Sequence, residues 1–356
     1  MFRNVYKDKV VLITGHTGFK GSWLSIWLLK LGAKVVGISK DIPTQPSMFK
    51  ALKLEDKITD YRFNIQNLEK LKAVIKKEEP DYIFHLAAQA LVSVSYSSPI
   101  ETITSNTLGT GNLLESIRDY EKDLVLILIT SDKAYDNVEW PWGYKETDIL
   151  GGKDIYSGSK AAAEIIIKSY WESFLKKKQN LRLGICRAGN VIGGGDWAKD
   201  RIIVDCIKAW NNNESVITRS PKATRPWQHV LEPLSGYLLL ASKLFDSSEL
   251  DGEPFNFGPN ADVNKTVEEL IIDLSNTWHQ KLDVFYEVTN HIPFKESGLL
   301  KLNCDKSSFY LDWTPTLNYK ETIDLVGGWY SGYFTNNNLY DLTSEQIDFF
   351  ENKNQI

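Results

Sequence analysis

A chain of 356 residues with 42% apolar side chains is long enough for one large α/β unit or for two domains on a shared core. A net charge of −5 at pH 7 provides no basic face for nucleic acid, and no apolar run reaches the length that spans a bilayer. Cys186, Cys206 and Cys304 are odd in number, far apart and form no Cys-x-x-Cys pair; this argues against a disulfide scaffold or a zinc site, and predicts reduced thiols in a cytoplasmic protein with no bound metal.

The opening MFRNVYKDKV lacks the apolar core of a signal peptide and leads into a first strand, Val10–Ile13. Gly15, Gly18 and Gly21 follow at the spacing G-x-x-G-x-x-G, and Ser22–Leu31 reads as an apolar helix. A strand, a glycine turn and a helix N-terminus form a seat for a diphosphate. Backbone can approach phosphate where side chains are missing, and the helix dipole favours negative charge. Further strands are predicted at Lys34–Ser39, Asp81–Leu86, Leu124–Thr130 and Leu181–Cys186, and helices at Asn67–Lys77, Pro99–Tyr120 and Tyr156–Leu175. No internal repeat or low-complexity segment breaks this alternation.

Strands separated by helices imply an α/β fold with a doubly wound parallel sheet of the Rossmann type. Ligands of such sheets sit beyond the C-terminal strand ends, and the unusual residues cluster there: Gly15–Gly21, His85–Gln89, Thr130–Tyr135 and Arg187–Gly195. After Cys186 the alternation weakens into Gly- and Pro-rich loops, which predicts a second, smaller α/β substrate domain. We divide the chain into a dinucleotide-binding domain at 1–187 plus about 229–258, a substrate domain at about 188–228 plus 259–335, and a tail at 336–356. The tail holds a short helix over Thr343–Lys353, capped by Thr343 or Ser344.

Tyr156 and Lys160 lie four apart at the start of a helix and share a face. An ammonium beside a phenol favours the phenolate, and such a Tyr can take a hydroxyl proton while hydride leaves for a nicotinamide. His85, at the end of an apolar strand, reads as a packed or hydrogen-bonded side chain in the cofactor wall.

With these residues in place, the chain resembles the extended short-chain dehydrogenase/reductase superfamily from Lys9 to about Tyr330. Within it, GHTGFKGSWL at 15–24, TSDKAY at 130–135, WGYKETDILGGKDIYSGSK at 142–160, AGNVIGGGDWAKDR at 188–201 and ATRPWQHVLEPLSGYLLL at 223–240 are similar to the CDP-glucose 4,6-dehydratase group. The resemblance implies C4 oxidation of CDP-glucose, water loss across C5 and C6, and hydride return to C6, giving CDP-4-keto-6-deoxyglucose for deoxysugar synthesis. It implies Tyr156 as the base at the C4 hydroxyl, Lys160 as its modulator and Ser131 as its hydrogen-bonding partner. Asp132 would be the acid at the C6 oxygen, and Lys133 the C5 base, in place of the Glu of related dehydratases. It further implies a tightly bound, recycled NAD held by Gly15, Thr17, Gly18, Phe19, Lys20, Gly21, Ser39, Asn64, Ile65, Leu86, Ala87, Ala88, Gln89, Asn106, Thr130, Tyr156 and Lys160, with Asn106 also bracing the active-site helix. Asn190, Asp196, Trp197, Arg201, Arg225, Gln228 and His229 would meet the nucleotide sugar. Arg201 and Arg225 would pair with its diphosphate.

The residues themselves leave choices open. Ser39 and Lys40 end the second strand without the usual acidic residue, so they admit NADP as well as NAD. Asn64 stands where relatives carry Asp near the adenine, Ser93-Val94 where this group carries basic residues, and Lys295-Glu296 where it carries His-Glu. Another NDP-hexose 4,6-dehydratase, an NDP-sugar 4-epimerase and a non-catalytic NAD(P)-binding scaffold share most of the features above. Apolar positions on helices 100–118 and 156–175 suggest a homodimer or homotetramer.

Overall fold

The computed structural model describes residues 2–260, 264–280, 286–289 and 299–354. The pair Lys295-Glu296 lies outside the described residues. Strand β1 (Val10–Thr14) runs through the centre, because its side chains alternate between two apolar layers. Val11 and Ile13 pack with Trp23, Trp27 and Phe84; Leu12 packs on the opposite face with Ile38, Ile83, Leu113 and Leu126.

β1 pairs in parallel with β2 (Lys34–Ser39) on one side, and β2 pairs with β3 (Thr59–Arg62). On the other side of β1 the sheet continues through β4 (Tyr82–His85), β5 (Leu124–Ile129), β6 (Leu181–Ala188) and β7 (Pro254–Phe257), again all parallel. The strand order therefore reverses between β1 and β4, and a crevice opens there at the C-terminal strand ends. Helix α1 (Phe19–Lys30), Leu231–Asp246 and Leu339–Asn354 cover one face; Leu68–Glu78, the Pro99–Ser116 stretch and Ile155–Tyr170 cover the other. This is the expected doubly wound sheet.

Several boundaries differ from the sequence reading, each for a physical reason. β3 (TDYR) and β7 (PFNF) give no strand signal, because edge strands tolerate the polar residues and proline that a central strand rejects. The helix from Pro99 ends at Ser116 rather than Tyr120, and loosens into a π-helical segment at Thr104–Leu108. The C-terminal helix begins at Leu339, four residues before the expected caps. Thr343 lies inside it, accepting from Trp329 Nε1 at 2.9 Å. That helix docks on α1: Trp27 Nε1 donates to Glu351 at 2.6 Å and Lys30 to Ser344 at 2.6 Å. Leu231–Asp246 escaped detection because it is buried nearly all round and shows no stripe.

Beyond β6 the described residues form three small two-stranded ladders and helices that include Ile202–Asn211, Val267–Ser275 and Tyr319–Phe334. Trp210, Leu270 and Trp329 there join the same apolar cluster as α1, so this region shares its core with the large sheet. Among the described residues no helix is long and apolar enough to cross a membrane.

Candidate active site

The crevice begins at the glycine turn. Gly15 has φ +79°, and a methyl there would stand 2.7 Å from the Ala87 nitrogen after β4. A methyl on Gly21 would run into the Gly15 carbonyl and lie 2.7 Å from His16 Cα. At Gly18, by contrast, the nearest atom to such a methyl is 3.4 Å away. α1 starts at Phe19 with Gly18 as its N-cap and no side-chain cap, so Phe19, Lys20 and Gly21 hold the amide groups that a helix N-terminus offers to phosphate. This cradle fits the diphosphate of a dinucleotide.

Thr17 is fixed at both ends: its amide donates to Ser39 Oγ at 3.3 Å and its hydroxyl to the Asp41 carbonyl at 2.6 Å. His16 is buried between Ser39 Oγ at 2.9 Å and Asp60 at 3.0 Å. Burial pushes its imidazole down to about 4, so the ring is neutral at pH 7, with Nε2–H assigned to Asp60 and Nδ1 to the Ser39 hydroxyl.

The wall after β4 is braced from behind. His85 is hydrogen-bonded to Thr14 Oγ1 at 2.7 Å and Thr110 Oγ1 at 3.1 Å, and burial pushes it down to about 3. Leu86, Ala87 and Ala88 follow it, half-buried. Asn106 does not reach the crevice. Its Oδ1 accepts from the Gln89 amide at 2.8 Å, and Nδ2 donates to the Gln89 carbonyl at 3.1 Å and to Ser159 Oγ at 2.9 Å. The side chain is used up in tying the wall to the helix of Tyr156. The Gln89 side chain is likewise spent on Leu91 and Thr102. Asn64 Oδ1 accepts from the Gln66 amide at 3.0 Å, and Ile65 packs against Gly109. Thr130 turns its hydroxyl to Glu164 at 2.6 Å.

At the end of β5, Ser131 caps a single tight turn, Asp132–Ala134. Its hydroxyl accepts from the Lys133 amide at 3.2 Å and donates to Asp132 Oδ1 at 3.0 Å. Burial raises the Asp132 carboxyl above the usual carboxylate range, against the opposing pull of Lys133, the Ser131 hydrogen bond and Lys20. Gly189 makes room for it, since a methyl there would strike the carboxylate.

The helix Ile155–Tyr170 starts where it does because Asp154 caps it: Oδ1 accepts from the Ser157 amide at 2.9 Å, a contact of about 1 kcal/mol. Tyr156 therefore sits buried in the first turn, with Ser131 among the groups acting on its hydroxyl. Burial pushes the phenol up to about 12, while Ser131 and Arg201 pull it back. Burial also pushes Lys160 down to about 8, opposed by Glu164. Ser131 and Arg201 are thus among the largest groups that lower Tyr156.

Lys20 turns out to belong with these groups as well as with the cradle. Its charged neighbours are Arg201, Asp132, Lys160 and Asp196, and burial, followed by Arg201, brings it down to about 8. Asn190, at φ +40°, lines a small cavity beside them with Gly193, Asp196, Arg201 and Trp227. Arg201 lies 3.9 Å from Asp196.

Three expected substrate residues are placed elsewhere. Trp197 is buried in a cluster with Tyr330, Tyr333 and Phe334, and Trp227 takes the cavity position. Gln228 is buried, donating to the Gly189 and Phe257 carbonyls at 2.8 and 3.1 Å. His229 is buried edge-on against Trp23, and accepts from the Leu231 amide at 3.3 Å. Arg225 lies in a ladder with Lys265–Thr266, where its Nη1 donates to the Thr224 carbonyl at 2.9 Å.

Glu164 and Arg187 are among the buried charges given no role in the sequence reading. Their signals were present: Glu164 lies one helical turn beyond Lys160, and Arg187 follows the apolar run Leu183–Cys186. Among the described residues no cluster of His, Cys, Asp or Glu is arranged to hold a metal ion.

The family model for GDP-mannose 4,6 dehydratase matches residues 12–326. The CDP-glucose 4,6-dehydratase of Salmonella typhimurium is 41% identical over 349 residues, covering 97% of this chain and 97% of that protein. Among solved structures, an epimerase of Methanothermobacter thermautotrophicus superposes with TM-score 0.81 at 21% identity, over 94% of this chain and 95% of that one. A dTDP-glucose 4,6-dehydratase of Bacillus anthracis in complex with NAD gives TM-score 0.75 at 21% identity, over 94% and 99%. At that identity the two structures speak for the fold alone; the family match spans most of the chain and the Salmonella likeness nearly all of it. The chain belongs to the GDP-mannose 4,6-dehydratase family.

Proposed function

We propose that this chain is a CDP-glucose 4,6-dehydratase that uses a tightly held, recycled NAD to make CDP-4-keto-6-deoxyglucose and water. The observation that carries the reading is the convergence of two functional pairs. The Asp132–Ala134 turn, bonded to the Ser131 hydroxyl through Asp132 Oδ1 and the Lys133 amide, packs on the helix that carries Tyr156 and Lys160, near the diphosphate cradle. The likeness to the Salmonella enzyme supports the choice of CDP-glucose, and the NAD-bound relative supports the cofactor. With Lys133 as the neutral base and Asp132 as the protonated acid, Lys20, Lys160 and Arg201 stand against Asp196, three cations to one carboxylate, a net of +2. That excess suits the doubly anionic diphosphate of a nucleotide sugar.

Tyr156 takes the proton of the C4 hydroxyl, with Ser131 holding both oxygens in line. Once C4 is a ketone, the neighbouring C5 proton becomes acidic and passes to the unprotonated amine of Lys133. Asp132, whose burial favours the protonated acid, delivers its proton to the C6 oxygen, which leaves as water. Lys133 then returns a proton to C5. NAD, held by the glycine cradle, supplies the hydride acceptor for C4 and the hydride donor for C6. A survey of CDP-, dTDP-, GDP- and UDP-glucose for keto-sugar formation tests the assignment. CDP-glucose should be converted far faster than the others, and equal or absent conversion would contradict it.

The pH dependence follows from two groups. C4 oxidation speeds up as pH rises, because Tyr156 must lose its proton. The rise levels off near pH 8, because Lys160 is charged below about 8 and neutral above it, and the loss of its charge offsets the further gain of phenolate. Rapid-mixing measurements of nicotinamide reduction should show the rise breaking near pH 8; a break displaced to the ordinary lysine range would contradict this.

The exposed apolar residues Ile100, Ile103, Leu108, Ile165 and Phe174 lie on the two helices beside the site, and Ile100 is 70% exposed. We assign this face to a homodimer contact. Light scattering should give twice the chain mass, and Ile100→Asp with Ile165→Asp should halve it. Free thiols at Cys186, Cys206 and Cys304 suit a reducing compartment and support a cytoplasmic enzyme.

A further inference from the structure

One buried ion pair lies beneath the reacting groups and touches both halves of them. Arg187 closes β6, and Glu164 stands one turn beyond Lys160; both are 3% exposed. Arg187 Nε donates to the two carboxylate oxygens at 2.8 and 2.9 Å, and its Nη2 donates to Glu164 Oε2. Glu164 Oε1 also accepts from the hydroxyl of Thr130, the residue before Ser131, at 2.6 Å. Arg187 Nη1 donates to the hydroxyl of Tyr135, the residue after the Asp132–Ala134 turn, at 2.7 Å. Its guanidinium lies over the Tyr135 ring at 4.8 Å, and Tyr135 donates onward to Asn256 on β7 at 2.8 Å. The pair thus grips the Asp132–Lys133 turn at both ends, while its carboxylate rides on the helix that carries Tyr156 and Lys160.

We infer that Glu164 and Arg187 are positioning residues that hold Asp132 and Lys133 in register with Tyr156 and Lys160, so that a sugar oxidised at C4 proceeds to elimination instead of being released. The inference rests on the dehydratase reading. Its physical basis is geometric. The two chemical steps act on neighbouring carbons of one hexose, and a displacement of about 1 Å costs roughly 100-fold in a positioned reaction. A bidentate buried pair has one arrangement in which every donor and acceptor is used.

Three variants test it: Glu164→Gln keeps the shape and removes the charge, while Thr130→Val and Tyr135→Phe each free one end of the turn. Cofactor-loaded protein is mixed with CDP-glucose, and reduced nicotinamide, released CDP-4-keto-glucose and 6-deoxy product are followed separately. In Glu164→Gln, elimination should fall about 100-fold with C4 oxidation much less affected, so that reduced cofactor accumulates and the 4-keto hexose leaks out. The pH at which the rise in oxidation levels off should also move lower. Lys160 is faced by Glu164 on its own helix, His85 on β4 and Lys20 on α1, and Glu164 is the carboxylate among them. Thr130→Val and Tyr135→Phe should shift the partition the same way by less, and they decide the matter if Glu164→Gln does not fold. An unchanged product partition, with every step slowed equally or only the melting temperature lowered, would overturn the inference. Failure of the unmodified protein to dehydrate any nucleotide sugar would instead strike the dehydratase reading.

Discussion

The Lys133→Met protein should oxidise C4 of CDP-glucose and then stop. Lys133 sits in the turn held by the Ser131 hydroxyl, which bonds its backbone amide at 3.2 Å, so the turn keeps its shape when the side chain changes. Methionine matches the length of the lysine stem and offers no basic nitrogen. Positioned acid–base groups contribute about 100- to 10,000-fold, so elimination should fall on the order of 1,000-fold. Oxidation uses Tyr156 and Lys160 and should stay within about tenfold. Reduced nicotinamide should therefore appear in near-stoichiometric amount and persist, with no 6-deoxy sugar formed. A nucleotide-sugar 4-epimerase has no use for a base at position 133 and would survive the change. A variant that still dehydrates at the parent rate removes Lys133 from the mechanism.

Gly21→Ala should abolish retention of the dinucleotide. The added methyl meets the Gly15 carbonyl and lies 2.7 Å from His16 Cα, and both are backbone atoms that no rotamer can move aside. The turn must open or α1 must back away, and α1 is held by the bond from Trp23 Nε1 to the Gly194 carbonyl at 2.9 Å. Over-packing of this kind costs about 1–3 kcal/mol of stability, and displacing the helix N-terminus removes its amides from the phosphates. Purified protein should emerge free of nucleotide, with cofactor affinity reduced at least about 100-fold and a lower melting temperature. Gly18→Ala is the control. Its nearest neighbour would be 3.4 Å away, an ordinary contact, so the fold should tolerate it and only the approach of phosphate should suffer. Normal cofactor content in Gly21→Ala would show that the turn is not the phosphate seat.

The central strands were legible because their signal is local. VVLIT, DYIFH and LVLILI are apolar runs long enough for a strand buried on both faces, and each glycine or Ser-Asp-Lys turn follows such a run directly. The edges were not legible, because β3 and β7 need only one neighbour and carry Asp, Arg, Pro and Asn in place of an apolar run. Tyr156 and Lys160 could be singled out from their spacing, and Ser131, Asp132 and Lys133 from the resemblance, whereas the direction of side chains could not be read. Asn106, Thr130 and Gln89 were assigned to the cofactor, yet all three spend their hydrogen bonds inside the protein. Trp197, Gln228 and His229 sit in loops that resemble a substrate site, yet long-range packing turns them inward; Tyr330 lies about 130 residues from Trp197 in sequence and forms part of its cage. Lys20 shows the reverse. A lysine at the start of an apolar helix reads as a phosphate ligand, and only the fold reveals Asp132 and Asp196 beside it.

The most direct test of the account is the fate of the C4 hydrogen. CDP-glucose carrying deuterium at C4 should yield CDP-4-keto-6-deoxyglucose with that deuterium on C6, transferred within one active site even when unlabelled substrate is present. Deuterium lost to water, retained at C4 or scattered between molecules would contradict the shuttle on which the roles of Tyr156, Asp132 and Lys133 depend.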